Sequence, residues 1–284
     1  MDHKDSISAT AESVTYAAGA LSLHCLKTGN GKKIVLAFHG YGNDAALFSF
    51  LDHEEYTILS FDLPFQGQSY VAPGSCLEKL DLLVLAEHIM KEYGVSKLGL
   101  LGFSLGARVC LCIAEQLPEA VRNMVLIAPD GIRHNYFYRF FTGTAPGHLL
   151  FKSFIRSGDT YLKLFSVLHR MALLNSYRYR FALQYIRTDA SRKLLYDIWM
   201  ATRKLNADLG RVKHEIGARP IPVHILMGER DSVIPLRNAR IFKGRNDHIH
   251  IHVFHRGHNL LQFEEVKGTV AAWLFRSNHA TLRG

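Results

Sequence analysis

The stretch LGFSLGAR, residues 101–108, places a serine between two glycines at the spacing G-x-S-x-G. The run before it, KLGLLGF, is continuously apolar like a strand covered on both faces, and the run after it, SLGARVCLCIAEQL, is typical of a helix. A sharp turn from a strand into a helix holds the serine hydroxyl above the strand end, where the helix N-terminus favours negative charge. The stretch therefore predicts that Ser104 is a nucleophile, with Gly102 and Gly106 leaving room for a strained backbone.

Apolar runs of strand length recur along the chain and alternate with amphipathic segments. This alternation predicts an α/β protein with a mostly parallel sheet flanked by helices. The runs SVTYAAG and LSLHCLKTG predict an antiparallel hairpin that leads into the sheet. The other predicted strands, besides the one at 97–103, are KIVLAF (33–38), YTILSF (56–61), NMVLIA (123–128), VHILMG (223–228) and HIHIHVF (248–254).

Three further motifs lie where predicted strands end: FHGYG (38–42), MGERDSVIP (227–235) and RGHNL (256–260). Together with Ser104 in LGFSLGAR, the last two motifs give the chain order serine, acid and histidine, which resembles that of the α/β-hydrolase family. The resemblance implies that Ser104 is the nucleophile, His258 the general base and Asp231 the acid that orients the histidine. Glu229 and Asp130 are the alternative acids, because each also lies just beyond an apolar strand.

The resemblance also implies an oxyanion hole. FHGYG resembles the HG-x-G loop of the family, which assigns one donor to the backbone N–H of Tyr41 and the other to that of Leu105. A serine at the nucleophile position argues against the dehalogenases and epoxide hydrolases of this fold, which use an aspartate there.

FDLPFQGQS (61–69) resembles the turn D-x-P-G-x-G-x-S of the same family. The sequence departs from that pattern at Phe65, where glycine is usual, and at Gln66, where histidine is common. We expect Asp62 to hold the turn rather than to take part in catalysis, and Phe65 to lie near the mouth of the site and contact substrate.

More than ninety residues without a convincing strand separate NMVLIA from VHILMG, which is too long for a loop in a compact domain. Helical patterns recur there, such as Tyr161, Leu164, Phe165, Leu168 and Ala172. We predict a helical cap at 133–219, inserted after the sixth strand. The core then comprises residues 1–132 and 220–284.

The predicted cap carries most of the excess positive charge. Residues 133–219 contain 16 Lys and Arg against 5 Asp and Glu, whereas the rest of the chain contains 18 against 20. The charge favours an anionic substrate or an anionic partner surface, although basic residues on amphipathic helices are usually a solvated face. The aromatic residues of the cap start pack the cap on the core or line a pocket: Tyr136, Phe137, Tyr138, Phe140 and Phe141.

Arg108 lies one helical turn after Ser104 and is a candidate substrate contact. The elbow GFSLGAR is also similar to that of 2-succinyl-6-hydroxy-2,4-cyclohexadiene-1-carboxylate synthases. That resemblance implies that the arginine meets a substrate carboxylate.

The histidine-rich strand at 248–254 leaves two interpretations open. His248, His250 and His252 alternate and therefore share one face of a strand, where two of them could bind zinc. A polar face on the last strand, near the edge of the sheet, is the alternative that we favour. We therefore predict no metal and no cofactor.

Other features of the sequence argue against secreted, membrane-spanning and nucleic-acid-binding classes of protein. The start MDHKDSISATAES lacks the pattern of a signal peptide, and no apolar run approaches the roughly 20 residues that span a bilayer. The four cysteines form no CxxC pair, so we expect reduced thiols and a soluble, cytoplasmic protein. No nucleic-acid motif accompanies the net charge of +9.

The leading functional hypothesis is a serine hydrolase that cleaves a carboxylic ester or thioester of a small or medium-sized substrate through an acyl-enzyme. A C–C bond hydrolase or lyase with the same triad is the first alternative. A non-catalytic ligand receptor that keeps the fold is the second.

Overall fold

The computed structural model of the protein describes residues 11–72, 74–171 and 187–275. The polar start of the chain and Ala172 of the predicted helical pattern lie outside the described residues. Within them, nine strands form one sheet in the order β1-β2-β4-β3-β6-β7-β8-β9, with β5 paired to β2. The strands are β1 (Glu12–Ala18), β2 (Leu21–Thr28), β3 (Lys33–Phe38), β4 (Tyr56–Phe61), β5 (Tyr70–Val71), β6 (Leu98–Phe103), β7 (Val121–Ile127), β8 (Val223–Gly228) and β9 (Ile249–Phe254).

The sheet is mostly parallel, as predicted. The run β4-β3-β6-β7-β8-β9 is parallel throughout, whereas β1, β2 and β5 pair antiparallel at one end. The central strands are buried on both faces, which explains why their sequences are continuously apolar rather than alternating. The prediction of an α/β fold is confirmed.

Helices cover both faces of the sheet. They are α1 (Lys79–Glu92), α2 (Gly106–Gln116), α3 (Tyr136–Gly143), α4 (Ala145–Arg156), α5 (Gly158–Arg170), α6 (Asp189–Ala201), α7 (Leu209–Ala218), α8 (Leu236–Lys243) and α9 (Glu264–Leu274). None of these helices in the described part of the chain is long and apolar enough to cross a membrane.

Two apolar cores lie on opposite faces of the sheet because side chains alternate along each strand. Ile34, Leu36 and Phe38 of β3 join the core beneath α1, α2, α7 and α8. Val35 and Ala37 join the core beneath α9. The strands are thereby fixed in register, so the loops at their carboxyl ends have defined positions.

Those loops meet at one edge of the sheet, where ligands of open α/β sheets bind. The loop after β3 carries Tyr41, and the turn after β4 carries Asp62. Ser104 follows β6, Asp231 follows β8 and His258 follows β9. Residues far apart in the sequence are brought together at this edge.

The segment between β7 and β8 contains α3 to α7 and, among its described residues, no strand. Tyr138 of α3 donates a hydrogen bond through its hydroxyl to the carbonyl of Trp199 in α6 at 3.1 Å. α7 lies inside the predicted cap at 133–219, yet its Val212 and Ile216 belong to the core on the sheet.

The insertion follows seven strands in chain order rather than the predicted six. The additional strand is β5, whose two residues pair with Leu21 and Ser22 of β2. A strand of two residues is too short to have an alternating or continuous apolar pattern, so the sequence does not indicate it.

Candidate active site

Ser104 lies in the tight turn between β6 and α2. Its φ is +49°, in the left-handed region that strains any residue other than glycine. The N–H of Ser104 donates to the carbonyl of Ile127 at 2.9 Å, and the N–H of Asp130 donates to the carbonyl of Ser104 at 3.0 Å. The neighbouring strand β7 and the residues after it therefore hold the strained turn in place.

The two glycines of G-x-S-x-G are required by close packing. A Cβ on Gly102 would lie 2.7 Å from the Cα of Ala107, and one on Gly106 would lie 1.9 Å from the carbonyl oxygen of Phe38. Both distances are too short for real atoms, so side chains at these positions would push α2 away from β6 and β3. The turn that exposes the serine depends on both glycines.

Ser104, His258 and Asp231 form a continuous hydrogen-bonded chain. The Oγ of Ser104 is 3.0 Å from Nε2 of His258, and Nδ1 of His258 is 2.7 Å from Oδ2 of Asp231. The other carboxylate oxygen of Asp231 accepts the N–H groups of Val233 and Ile234 at 2.8 and 2.9 Å. Asp231 is thus fixed to accept the Nδ1 proton, which leaves Nε2 free to accept a proton from the serine.

The alternative acids are engaged elsewhere. Glu229 accepts from Nδ1 of His255 at 2.5 Å, and Asp130 accepts from Nε of Arg108 at 2.9 Å. Neither carboxylate contacts His258. The geometry therefore favours Asp231, the acid that the family resemblance implies.

Backbone contacts hold the acid loop after β8 against the histidine loop after β9. The N–H of Arg230 donates to the carbonyl of Arg256 at 3.0 Å. A Cβ on Gly228 would lie 2.3 Å from the carbonyl oxygen of Gly257. The absence of a side chain at Gly228 therefore allows the two loops to approach closely enough for the carboxylate to reach the imidazole.

The loop after β3 lies directly beside the serine turn. A Cβ on Gly40 would be 3.0 Å from the Cβ of Ser104. Tyr41 follows Gly40 in this loop, and Leu105 follows Ser104 as the N-cap of α2. The structure thus brings together the two backbone segments to which the family resemblance assigns the oxyanion hole.

A buried histidine supports this loop from below. Nδ1 of His39 donates to the carbonyl of Gly40 at 2.7 Å, while Nε2 accepts the N–H of Leu63 at 3.0 Å. An imidazole that donates at one nitrogen and accepts at the other is neutral. Complete burial lowers the pKa of His39, in agreement with that state.

The turn after β4 binds the same loop through two side chains. Oε1 of the buried Gln66 accepts the N–H of Gly42 at 2.6 Å, and Oδ1 of Asp62 accepts the N–H of Ala45 at 2.6 Å. Gln66 is one of the two departures from the family motif, and it anchors the residue after Tyr41. It therefore controls the position of one proposed oxyanion donor.

Asp62 is also part of a second chain of serine, histidine and carboxylate. Its Oδ2 is 2.7 Å from Nδ1 of His24, whose Nε2 is 2.7 Å from Oγ of Ser13. Ser13 lies within the edge strand β1, with neither a helix N-terminus nor a left-handed backbone. Asp62 also accepts the N–H of Gln68 at 2.8 Å, so this chain ties the turn to the hairpin, as expected for a structural Asp62.

Phe65, the other departure from the family motif, has a φ of +63°. Glycine adopts this conformation without strain, which accounts for its usual occurrence at this position. The Phe65 side chain is 37% exposed beside the turn that supports the site. A strained and exposed aromatic residue at this edge is a candidate substrate contact.

Arg108 of α2 is buried against α3. Its guanidinium lies 4.0 Å from the centre of the Tyr138 ring and donates to Asp130. It lines a small cleft between the core and the inserted helices. Neither Ser104 nor His258 lines that cleft.

The histidines of β9 pack against their neighbours. Nδ1 of His224 in β8 is 3.1 Å from Nε2 of His252, and His224 also stacks on His250 with ring centres 5.1 Å apart. Trp273 of α9 stacks on His224 at 3.8 Å. In the described part of the chain, no group of three or more His, Cys, Asp or Glu could hold a metal ion.

A sequence model described as alpha/beta hydrolase fold matches residues 33–265. That range contains the serine turn, the loop after β3, and the acid and histidine loops. The chain belongs to the α/β-hydrolase family. Membership of this family, together with the hydrolases among the relatives, supports the conclusion that the protein is an enzyme.

Three curated proteins resemble this α/β-hydrolase in sequence. The uncharacterized hydrolase YugF of Bacillus subtilis is 24% identical over 72% of this chain and 76% of its own length. The acetyltransferase component of the acetoin cleaving system of Cupriavidus necator is 32% identical over 37% of this chain, but the match spans only 29% of that protein. Pimeloyl-[acyl-carrier protein] methyl ester esterase of Nitrosomonas europaea is 30% identical over 38% of this chain and 41% of its own length.

Solved structures show the same fold at lower identity. An esterase from Thermogutta terrifontis has a TM-score of 0.61 and 19% identity, covering 93% of this chain and 98% of its own. A haloalkane dehalogenase from Agrobacterium tumefaciens has a TM-score of 0.62 and 17% identity, covering 94% and 97%. Because these two enzymes differ in reaction, the likeness concerns the fold alone.

Proposed function

We propose that this α/β-hydrolase is a serine hydrolase that cleaves a carboxylic ester or thioester through an acyl-enzyme. The observation that carries the proposal is the hydrogen-bonded chain from Ser104 through His258 to Asp231, with Ser104 in a strained turn. A serine with a hydroxyl 3.0 Å from a histidine nitrogen has a base within reach of its proton.

The proposed reaction has two halves. Oγ of Ser104 attacks the acyl carbon while its proton passes to Nε2 of His258, and Asp231 stabilises the resulting imidazolium. The tetrahedral intermediate then expels the alcohol or thiol, which takes that proton. A water molecule, deprotonated by His258, attacks the acyl-enzyme in the second half and releases the carboxylic acid and free Ser104.

The oxyanion of each tetrahedral intermediate needs donors that are already in place. We assign the backbone N–H groups of Tyr41 and Leu105, because their two segments are adjacent at Gly40 and Ser104. Removal of one such donor in other enzymes reduces turnover by roughly 100- to 1000-fold. Gln66 and His39 hold the loop that carries Tyr41, so they contribute indirectly to stabilisation of the oxyanion.

The relatives support acyl chemistry. One is named as a methyl ester esterase and another as an acetyltransferase component, and each matches over little more than a third of this chain. The alternative of C–C bond cleavage uses the same triad, and the likeness of the elbow GFSLGAR to that of 2-succinyl-6-hydroxy-2,4-cyclohexadiene-1-carboxylate synthases suggests it. In the structure Nε of Arg108 donates to Asp130, so we rank Arg108 below Phe65 as a proposed substrate contact.

We propose that the inserted helices within 133–219 form the cap over the site and that Phe65 is one wall of the substrate pocket. A cap restricts the substrate to small or medium size and excludes water from the acyl-enzyme. The expected cellular location of the enzyme is the cytoplasm.

Hydrolysis of matched esters and thioesters of graded acyl length tests the proposal. We expect turnover for one chain-length range, and a loss of roughly 1000-fold or more in Ser104→Ala. Ser13→Ala is the matched control, since Ser13 also contacts a histidine, and it should retain wild-type turnover. Ligand binding without any turnover would instead support the non-catalytic receptor.

A further inference from the structure

Helices α3 and α4 expose large apolar side chains to solvent. Tyr136 is 77% exposed, Phe137 64% and Phe140 40%, and on α4 Leu149 is 71% and Leu150 47% exposed. Different side chains of the same helices hold them in place, such as Tyr138 and Phe151, each of which is 3% exposed. A folded protein rarely exposes this many large apolar groups on two adjacent helices without a partner for them.

Basic residues share the same faces. On α3, Arg139 lies on the exposed side with Tyr136 and Phe140. On α4, Leu149, Lys152 and Arg156 follow one another at spacings of three and four and are all exposed. We call the exposed side of α3 and α4 the apolar–basic face.

Acidic residues are missing from this part of the sequence. Between Asp130 and Asp159 the chain contains four Lys and Arg but no Asp or Glu. No ion pair joins Arg139, Lys152 or Arg156 to a carboxylate of the described residues. Among the described side chains, no carboxylate therefore neutralises the positive charge of the face.

We propose that the apolar–basic face docks the enzyme on the surface of an anionic lipid bilayer. Helices that bind such a surface combine aromatic and aliphatic residues, which enter the interface, with Lys and Arg, which attract the anionic head groups. A two-fold contact between copies would bring the cations of both faces together without any acidic residue to neutralise them. Charge complementarity therefore favours an anionic surface over a second copy of the chain.

Binding of the full chain to vesicles tests the proposal, and it does not depend on the catalytic assignment. Sedimentation with vesicles of equal parts phosphatidylcholine and phosphatidylglycerol is compared with phosphatidylcholine alone, at about 0.1 M and about 1 M salt. We expect strong binding only to the anionic vesicles at low salt, and the same binding by Ser104→Ala.

Charge variants separate the face from the overall charge of the protein. Arg139→Gln/Lys152→Gln/Arg156→Gln should reduce the partition coefficient roughly 100-fold, since each cation near an anionic surface contributes about 1 kcal/mol. The triple variant Arg237→Gln/Arg240→Gln/Arg245→Gln removes the same charge from exposed positions in and after α8 and should bind nearly like the wild type.

Apolar variants test the second component of the face. Tyr136→Ser/Leu149→Ser should weaken binding by about tenfold or more. Tyr70→Ser/Leu80→Ser replaces the same residue types at sites that are each 63% exposed on the core, and it should have little effect. The proposal would be overturned by equal losses of binding in the face variants and their matched controls, or by the absence of binding to anionic vesicles. It would also be overturned by a dimer that gel filtration detects at every salt concentration and that Tyr136→Ser/Leu149→Ser dissociates.

Discussion

Gln66 is the residue through which the turn after β4 acts on the proposed oxyanion hole. Gln66→Leu removes the side-chain acceptor of the Gly42 N–H and so releases the loop that carries Tyr41. We expect kcat to fall by about 10- to 100-fold with KM nearly unchanged, because the displaced Tyr41 donor acts mainly in the transition state. Gln68→Leu, at an exposed position two residues further, is the control, and a parallel change in the two variants would refute a positioning role.

Phe65 combines a strained backbone with a proposed contact to substrate, and two variants separate these properties. Phe65→Gly and Phe65→Ala both remove the ring, but only Ala retains a Cβ at φ +63°. Urea unfolding is expected to show that Phe65→Gly is more stable than Phe65→Ala by about 1 kcal/mol. An equal rise of KM in both variants would support the substrate contact, whereas an unchanged KM in both would exclude it.

At the residue scale the sequence predicts the residues that carry a motif and the structural role of Asp62, but not the supporting roles of His39 and Gln66. Ser104, Asp231 and His258 each follow an apolar run in a recognisable local pattern, and the structure brings their side chains into contact. The roles of His39 and Gln66 depend on hydrogen bonds between loops more than twenty residues apart. Local patterns carry no signal for such partners, although the departure from the family motif at Gln66 marks the position.

Among the elements, β8 and β9 determine how closely the acid loop approaches the histidine loop. Gly228→Ala places a methyl group against the carbonyl of Gly257, which we expect to destabilise the protein by about 2 kcal/mol or more and to lower kcat. Gly257→Ala is the matched control, because a Cβ there meets no atom within 4 Å. Its free energy of unfolding should stay within about 0.5 kcal/mol of the wild type; similar losses in the two variants would contradict the close-approach argument.

The histidines between β8, β9 and α9 predict that acid destabilises the fold. Burial, and then the positive charge of neighbours such as Lys243, lowers the pKa of His250; burial, and then His250, lowers the pKa of His252. In the unfolded chain the pKa of a histidine is about 6.5. As the pH falls below that value, the unfolded chain binds protons that the native histidines do not, so the free energy of unfolding decreases.

Equilibrium urea unfolding between about pH 8 and about pH 5 measures this dependence. The buried His39, whose pKa is also lowered, contributes in the same direction. We expect His252→Gln to flatten the decrease in stability toward acid, while His88→Gln on the exposed side of α1 leaves it intact. A stability that rises on acidification would show that the sign is wrong.

The sequence predicts elements well where they are long and buried. The apolar run of β6 and the helical spacing of Leu82, Leu85, Ala86 and Ile89 in α1 both correspond to the observed elements. The packing of α7 on the sheet could not be predicted, because an amphipathic helix has the same pattern whether it covers a cap or a core.

For the whole molecule, the distribution of charge along the chain says more about a binding partner than the overall composition does. The net charge of +9 conceals an inserted segment of +11 and a remainder of −2. The sequence could therefore indicate an anionic partner for this segment, but not which side chains face it. The structure supplies that information by exposing Tyr136, Phe137 and Leu149 beside the basic residues.

The central claim is that the fold activates one serine, and covalent labelling with a fluorophosphonate tests it most directly. Ser104 and Ser13 each contact a histidine that contacts an aspartate, but only Ser104 lies at a strand-to-helix turn beside the proposed oxyanion donors. Peptide mapping of the labelled protein should find the adduct on Ser104, its loss in Ser104→Ala and a strongly reduced rate in His258→Gln. An adduct on Ser13, or no adduct on Ser104 in the folded protein, would contradict the account.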